Sequence, residues 1–148
     1  MFMKIKLNDK IFNYRFASKK DIDTINRFDI KINKDKEDKR YYLKHDKKKL
    51  SRNISNGNKI YLVFYNNKLV AWATVFTTIK EKYYPNWCLN SKTSKYAGIL
   101  AATAVSKEFR GYGIQRFLIK KRLEYLKKKG KKYAYVGAVI GNKYSHNN

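Results

Sequence analysis

A mixed α/β (α+β) fold, with a mainly antiparallel sheet and helices on both of its faces, is the class this chain predicts. Three observations carry that expectation. Runs rich in β-branched and aromatic residues read as strands, and two of them flank the turn-tolerant pair Asn66-Asn67. An apolar run over residues 97–105 hands over, through two closely spaced glycines, to a long amphipathic segment. A further apolar run over residues 132–140 follows it, so the last unit reads as strand–helix–strand, its strands parallel in a right-handed crossover.

The elements follow in chain order. Met3 to Leu7 alternates, Asn8-Asp9 can turn, and Ile11 to Phe16 alternates again. Ser18 has the character of an N-cap, with Asp21 three residues on as the acidic partner of a capping box. Ile22, Ile25 and Phe28 then supply an apolar helical stripe. Residues 31–49 are almost all charged or polar around Tyr41, Tyr42 and Leu43, and read as a surface loop or a loosely held helix. A short helix from Lys48 to Ser55 ends at Asn56-Gly57. Lys59 to Tyr65 and Lys68 to Phe76 form the predicted hairpin. Residues 80–96, with Pro85 and Trp87, read as a long loop.

Ala97 to Val105 is apolar nearly throughout, the pattern of a strand covered on both faces, and its many small side chains let another body approach the backbone. The helix after Gly113 should bury Ile114, Leu118, Ile119, Leu123, Tyr125 and Leu126, with Arg116, Lys120 and Lys127 opposite. Lys127-Lys128-Lys129 and Gly130 suit its C-terminal end. Residues 1–148 fit one domain with a proper core, and no repeat or low-complexity linker interrupts them.

Composition narrows the function classes. No apolar run is long enough to cross a bilayer, and the N-terminus has no stretch of signal-peptide length, so a cytoplasmic protein is expected. Cys88 is the only cysteine, which excludes an intramolecular disulfide and thiolate-rich zinc sites; no metal is expected. The net charge of +24 invites a nucleic-acid reading. Against it, 28 of the 35 basic residues are Lys and only 7 are Arg, the usage of an AT-rich coding sequence. Arginine, which forks onto phosphates and base edges, is sparse, so a solvated surface is favoured over a nucleic-acid-binding module.

The glycine-spaced turn is Val105-Ser106-Lys107-Glu108-Phe109-Arg110-Gly111-Tyr112-Gly113-Ile114-Gln115. Two glycines at a strand-to-helix junction let backbone N–H groups approach a ligand. The helix adds unpaired donors and the positive end of its dipole, which together suit a phosphate or pyrophosphate. A dinucleotide-binding Rossmann unit is disfavoured, because its fingerprint needs one more glycine and an early place in the chain.

In these residues the chain resembles the GCN5-related N-acetyltransferase (GNAT) family. The family's signature runs Gln or Arg, two residues, Gly, one residue, then Gly or Ala. Arg110 to Gln115 matches its first and fourth positions, while Gln115 replaces the small final residue. The strand ending at Val105, the acid two residues before Arg110, the helix with Phe117-Leu118, and Asn142 agree as well. The resemblance implies acetyl-coenzyme A as co-substrate and an amine acceptor, with no membrane partner. The pyrophosphate would rest on the backbone of Gly111, Tyr112, Gly113, Ile114 and Gln115, beside Arg110. Thr103, Ala104 and Val105 would offer main-chain groups to the pantetheine arm, with an N–H near Val105 polarising the thioester, and Asn142 would meet the coenzyme.

Acetyl transfer to an amine also needs a base. Glu81 is the candidate by position, its alternative being an ordinary surface glutamate. Glu108 reads as a surface or loop-fixing acid, His45 as solvated, and Cys88 as a packed thiol without a histidine partner. His146 lies near the expected site but also near the chain end, and Tyr83, Tyr84 and Trp87 either line an acceptor pocket or pin their loop to the sheet. The family continues past its asparagine with a helix and two strands, the helix commonly carrying a general-acid tyrosine; here the chain stops at Asn148, and Tyr144 sits too close to the strand for that role. An open edge on the last strand would favour a homodimer. A coenzyme-binding protein without catalysis is the other reading.

Overall fold

A computed structural model describes residues 1–34, 46–78 and 94–136. Strands β1 (Met3–Leu7) and β2 (Lys10–Phe16) form the expected hairpin, turned at Asn8. Ser18 starts a single 3-10 turn, Lys19–Asp21, that runs into α1 (Ile22–Lys34). The Asp21 carboxylate accepts the Ser18 N–H at 2.8 Å and its hydroxyl at 2.9 Å, and takes both Arg15 nitrogens at 2.6 and 2.8 Å. The Arg15 pair, helped by Ser18, holds this carboxyl down to about 2. Residues 31–34 continue α1 rather than starting a loop, because Ile32 falls one turn beyond Phe28 and extends the buried stripe.

Helix α2 (Lys47–Ser55) begins one residue earlier than expected, capped by Asp46, whose side chain accepts the Lys49 N–H at 2.6 Å. The central hairpin of β3 (Lys59–Tyr65) and β4 (Lys68–Phe76) turns through Asn66 and Asn67, both with positive φ. Then come β5 (Ala97–Val105), α3 (Ile114–Lys128) and β6 (Tyr133–Val136). The sheet order is β1-β2-β3-β4-β5-β6, antiparallel throughout except for the parallel pair β5–β6. The expected strand–helix–strand crossover is therefore present.

Two cores separate along the sheet. On one face Phe12, Tyr14, Val63 and Val75 pack against Ile114, Phe117, Leu118 and Leu126 of α3. On the other, Ile60, Leu62 and Trp72 meet Ile25, Phe28 and Ile32 of α1 and Leu50 of α2. The helix arc differs from the expected one in one respect. Leu123 is 43% exposed, while Phe117 and Arg122 take the buried positions. Helix α3 lies so close on β5 that a Cβ at Gly98 would collide with the Leu126 side chain and the Phe76 carbonyl. Among the described residues, no helix is long and apolar enough to cross a membrane.

Two register breaks shape the strands next to the glycine turn. Val63 pairs with Ala71 and Phe64 with Leu69, so Val70 is an extra residue in β4. Ala73 pairs with Thr103 and Val75 with Leu100, so Ala101 and Ala102 of β5 together face Thr74.

Candidate functional site

The site grows from the end of β5. The N–H of Ser106 is donated to the Val70 carbonyl at 2.9 Å, which continues the β4–β5 ladder one position beyond the Ala71–Val105 pair. Because successive strand residues turn their polar groups to opposite edges, Val105 presents its own N–H and carbonyl away from β4. Along β5 the side chains of Ala101, Ala102, Thr103 and Val105 are only half-buried. The expectation of a strand covered on both faces therefore holds for residues 97–98 and fails in its second half. The last described pair with β6 is Leu100 with Val136.

A 3-10 turn, Lys107–Phe109, follows, closed by the Phe109 N–H on the Ser106 carbonyl at 3.0 Å and the Arg110 N–H on Lys107 at 3.3 Å. Gly111 and Gly113 both have φ of +82°, the left-handed region that side chains resist. A Cβ at either would meet nothing within 4 Å, so open space lies beside both. Gly113 is the N-cap of α3, and the first bond of the helix is from the Phe117 N–H to the Gly113 carbonyl at 3.0 Å. The donors of Ile114, Gln115 and Arg116 thus have no acceptor within the helix, and no acidic residue occupies its first turn. This is an anion cradle by geometry and by charge.

Aromatic packing holds the turn from below. Phe109 lies 5.9 Å from Phe12 and 5.3 Å from Tyr65, and Tyr112 lies 6.3 Å from Phe12 and 6.1 Å from Phe109. The Lys10 ammonium sits 5.3 Å from the Tyr112 ring centre, and that neighbour is the main cause of its raised pKa. Tyr112 is therefore an anchor whose side chain points into the fold, leaving the two flanking glycines as the exposed surface. Sequence reasoning missed this cluster, because Phe12 and Tyr65 stood in two separate strands and Phe109 alone among charged residues of the turn.

Charge surrounds the turn. Lys31, Lys68, Lys107 and Arg110 border a small pocket floored by Phe28, Ile32, Leu69 and Phe109. Glu108 reaches Lys31 of α1 at 4.0 Å, consistent with the loop-fixing role. Its carboxyl is held below the ordinary value, first by its own backbone N–H and then by Lys31. Thr103, Ala104, Val105 and Arg110 to Gln115 are brought to one end of the sheet. Glu81 and Asn142 lie outside the described residues, as do His45, Tyr83, Tyr84, Trp87, Cys88, Tyr144 and His146. Among the described residues no cluster of His, Cys, Asp or Glu could hold a metal ion.

The sequence model of the acetyltransferase (GNAT) family matches residues 22–147. The chain belongs to that family. It is therefore an acetyl-coenzyme A-dependent N-acetyltransferase by family. No curated protein matches in sequence. Solved structures share the fold. A GNAT acetyltransferase from Listeria monocytogenes superposes with a TM-score of 0.77 at 16% identity, over 98% of this chain and 87% of that one. A predicted acetyltransferase from Clostridium acetobutylicum, solved with acetyl-CoA, gives 0.68 at 16% identity, over 92% and 86%. An aminoglycoside acetyltransferase from an uncultured soil metagenomic sample, solved with sisomicin, gives 0.66 at 16% identity, over 92% and 83%.

Proposed function

We propose that this GNAT protein transfers the acetyl group of acetyl-coenzyme A to a primary amine of a small molecule or peptide, and that the turn from Arg110 to Gln115 holds the pyrophosphate. The observation that carries this reading is the pair of left-handed glycines at the start of α3, with open space where side chains would stand. Their conformation, the free first-turn donors and the nearby Lys107 and Arg110 fit a doubly charged diphosphate. Acetyl-coenzyme A supplies an activated acetyl thioester. Val105, whose N–H faces away from β4, and Thr103, two residues before it, line up main-chain groups for the pantetheine arm, while the intervening Ala104 turns its own main-chain groups towards Trp72 of β4.

In the reaction an unprotonated amine attacks the thioester carbon to form the carbon–nitrogen bond, the carbon–sulfur bond breaks, and the coenzyme leaves as its thiolate. The proton shed by the nitrogen passes to a base, and the thiolate then takes a proton from the acid so formed or from water. Glu81 is proposed as that base, acting through water, and Asn142 as a further coenzyme contact. A donor aimed at the thioester oxygen, as the Val105 N–H would be, stabilises the charge that develops there. The acceptor is proposed to be neutral or anionic overall. A net charge of +24 repels polycations such as aminoglycosides and attracts anionic molecules, coenzyme included.

Thermal stabilisation by acetyl-coenzyme A, followed by a thiol-release assay over a panel of amines, tests the reading. Stabilisation with amine-dependent thiol release is expected. Stabilisation without release for any amine points to a coenzyme-binding protein without catalysis. No stabilisation at all removes the coenzyme site.

A further inference from the structure

Arg122 stands in the middle of α3 with 2% of its surface exposed. Its Nε donates to the Leu118 carbonyl at 3.1 Å, one turn back in the same helix. Its Nη1 reaches two carbonyls on two different strands, Ala101 of β5 at 3.1 Å and Thr74 of β4 at 3.3 Å. These carbonyls lie at the register break where Ala101 and Ala102 together face Thr74. A bulge loosens the ladder and leaves carbonyls needing donors, and this guanidinium supplies them.

Packing does not explain the choice of residue. A leucine or methionine would fill a helix position facing the sheet without any charge to desolvate. Burial pulls the guanidinium down to about 10, and among the described residues no carboxylate offsets it; the opposing influence there is Tyr61. The charge is therefore held at a cost, against the strand on which the proposed acyl-pantetheine contacts lie. Ala101 precedes Thr103 by two residues, about 7 Å along an extended strand. Ala101, Ala102 and Thr103 form a run of half-buried residues in β5, a stretch beside which a bound arm has room.

We propose that Arg122 is a positioning residue for acetyl transfer: it locks the Ala101–Ala102 bulge so that the main-chain groups of Thr103 and Val105 beyond it meet the acyl-pantetheine arm in one geometry. This inference rests on the acetyl-coenzyme A reading above. Among the described residues the hydrogen bonds of Arg122 go to main-chain carbonyls, so it acts through β5 and not on the substrate directly. Removing it should leave the diphosphate cradle at Gly111 to Gln115 intact, since that cradle stands at the N-terminal end of α3, about two turns from Arg122.

The test uses the full chain, acetyl-coenzyme A carrying 13C at the acetyl carbonyl, and the variants Arg122→Met and Arg122→Lys. Infrared difference spectra of the bound thioester need no acceptor. The wild-type protein is expected to shift the carbonyl stretch to lower wavenumber than in water. Arg122→Met should return it towards the free value with coenzyme affinity changed less than threefold, and Arg122→Lys should lie between. With an active amine, kcat should fall at least tenfold in Arg122→Met while the KM for acetyl-coenzyme A changes less than threefold. An unchanged stretch and kcat in a folded Arg122→Met overturns the inference and leaves the coenzyme reading standing. Should Arg122→Met not fold, Arg122→Lys decides: a stretch and kcat identical to wild type overturn the positioning role. Absence of acetyl-coenzyme A binding by the wild type overturns the parent reading and this one with it.

Discussion

Replacing Gly113 by alanine separates the backbone cost of the turn from its part in holding the ligand. At φ of +82° an L-residue is strained, while a Cβ there meets nothing within 4 Å, so no clash adds to the cost. Left-handed backbone costs a side-chain-bearing residue roughly 1–2 kcal/mol. In a domain of this size that lowers Tm by roughly 2–8 °C. Gly57, at the end of α2, provides a matched control, with φ of +77° and equally open surroundings. The two variants should lose similar thermal stability in the absence of ligand. They should differ in calorimetric titration with acetyl-coenzyme A. Gly113→Ala places a methyl group in the space assigned to the diphosphate and should weaken binding at least tenfold, about 1.4 kcal/mol. Gly57→Ala should bind as the wild type does. Equal affinity in the two variants would refute the assignment of the open space beside Gly113 to the ligand.

Other consequences follow from contacts elsewhere. Asp21 is held at about 2 against an ordinary value of 3.8, so its ionised form stabilises the fold above pH 4 and that contribution disappears as pH falls through 2. Asp21→Asn should cost about 2 kcal/mol at pH 7 and far less at pH 2, read from urea unfolding at both pH values. The Trp72 indole donates to Asp29 Oδ1 at 2.7 Å within the core, so Trp72→Phe removes a donor from a buried carboxylate and should cost about 2–3 kcal/mol. A double-mutant cycle with Asp29→Asn should show coupling between the two sites; additive effects would dismiss it. Gly98→Ala pushes a methyl group into Leu126 and the Phe76 carbonyl and should destabilise by about 1–3 kcal/mol, measured by thermal melting.

Local chemistry made much of this fold legible in the sequence. Asn66-Asn67 between two aromatic and β-branched runs marked the β3–β4 hairpin to the residue, and Gly113 marked the start of α3. Ser18 and Asp21 announced their cap because three residues suffice to make it. The glycine turn was legible for the same reason, since its geometry is set by Gly111 and Gly113 alone. Features that depend on distant partners were not. Arg122 reads as one more cation on a basic helix until Thr74 and Ala101, 48 and 21 residues away, bring their carbonyls to it. Leu123 looked like core by its residue type, yet the face of α3 that meets the sheet is set by where β5 and β4 lie. The aromatic support of Tyr112 required two strands and a turn to converge. Both bulges arise from register, which a single strand's pattern does not encode.

The central claim is that the backbone donors at the start of α3 hold the diphosphate of acetyl-coenzyme A. Titrating 15N-labelled protein with acetyl-coenzyme A and following every amide tests it most directly. The amide protons of Gly111, Gly113, Ile114 and Gln115 should move furthest downfield, saturating together, with smaller shifts along Thr103 to Val105. Shifts centred instead on exposed basic segments such as Lys47 to Arg52, with the glycine turn unmoved, would contradict it.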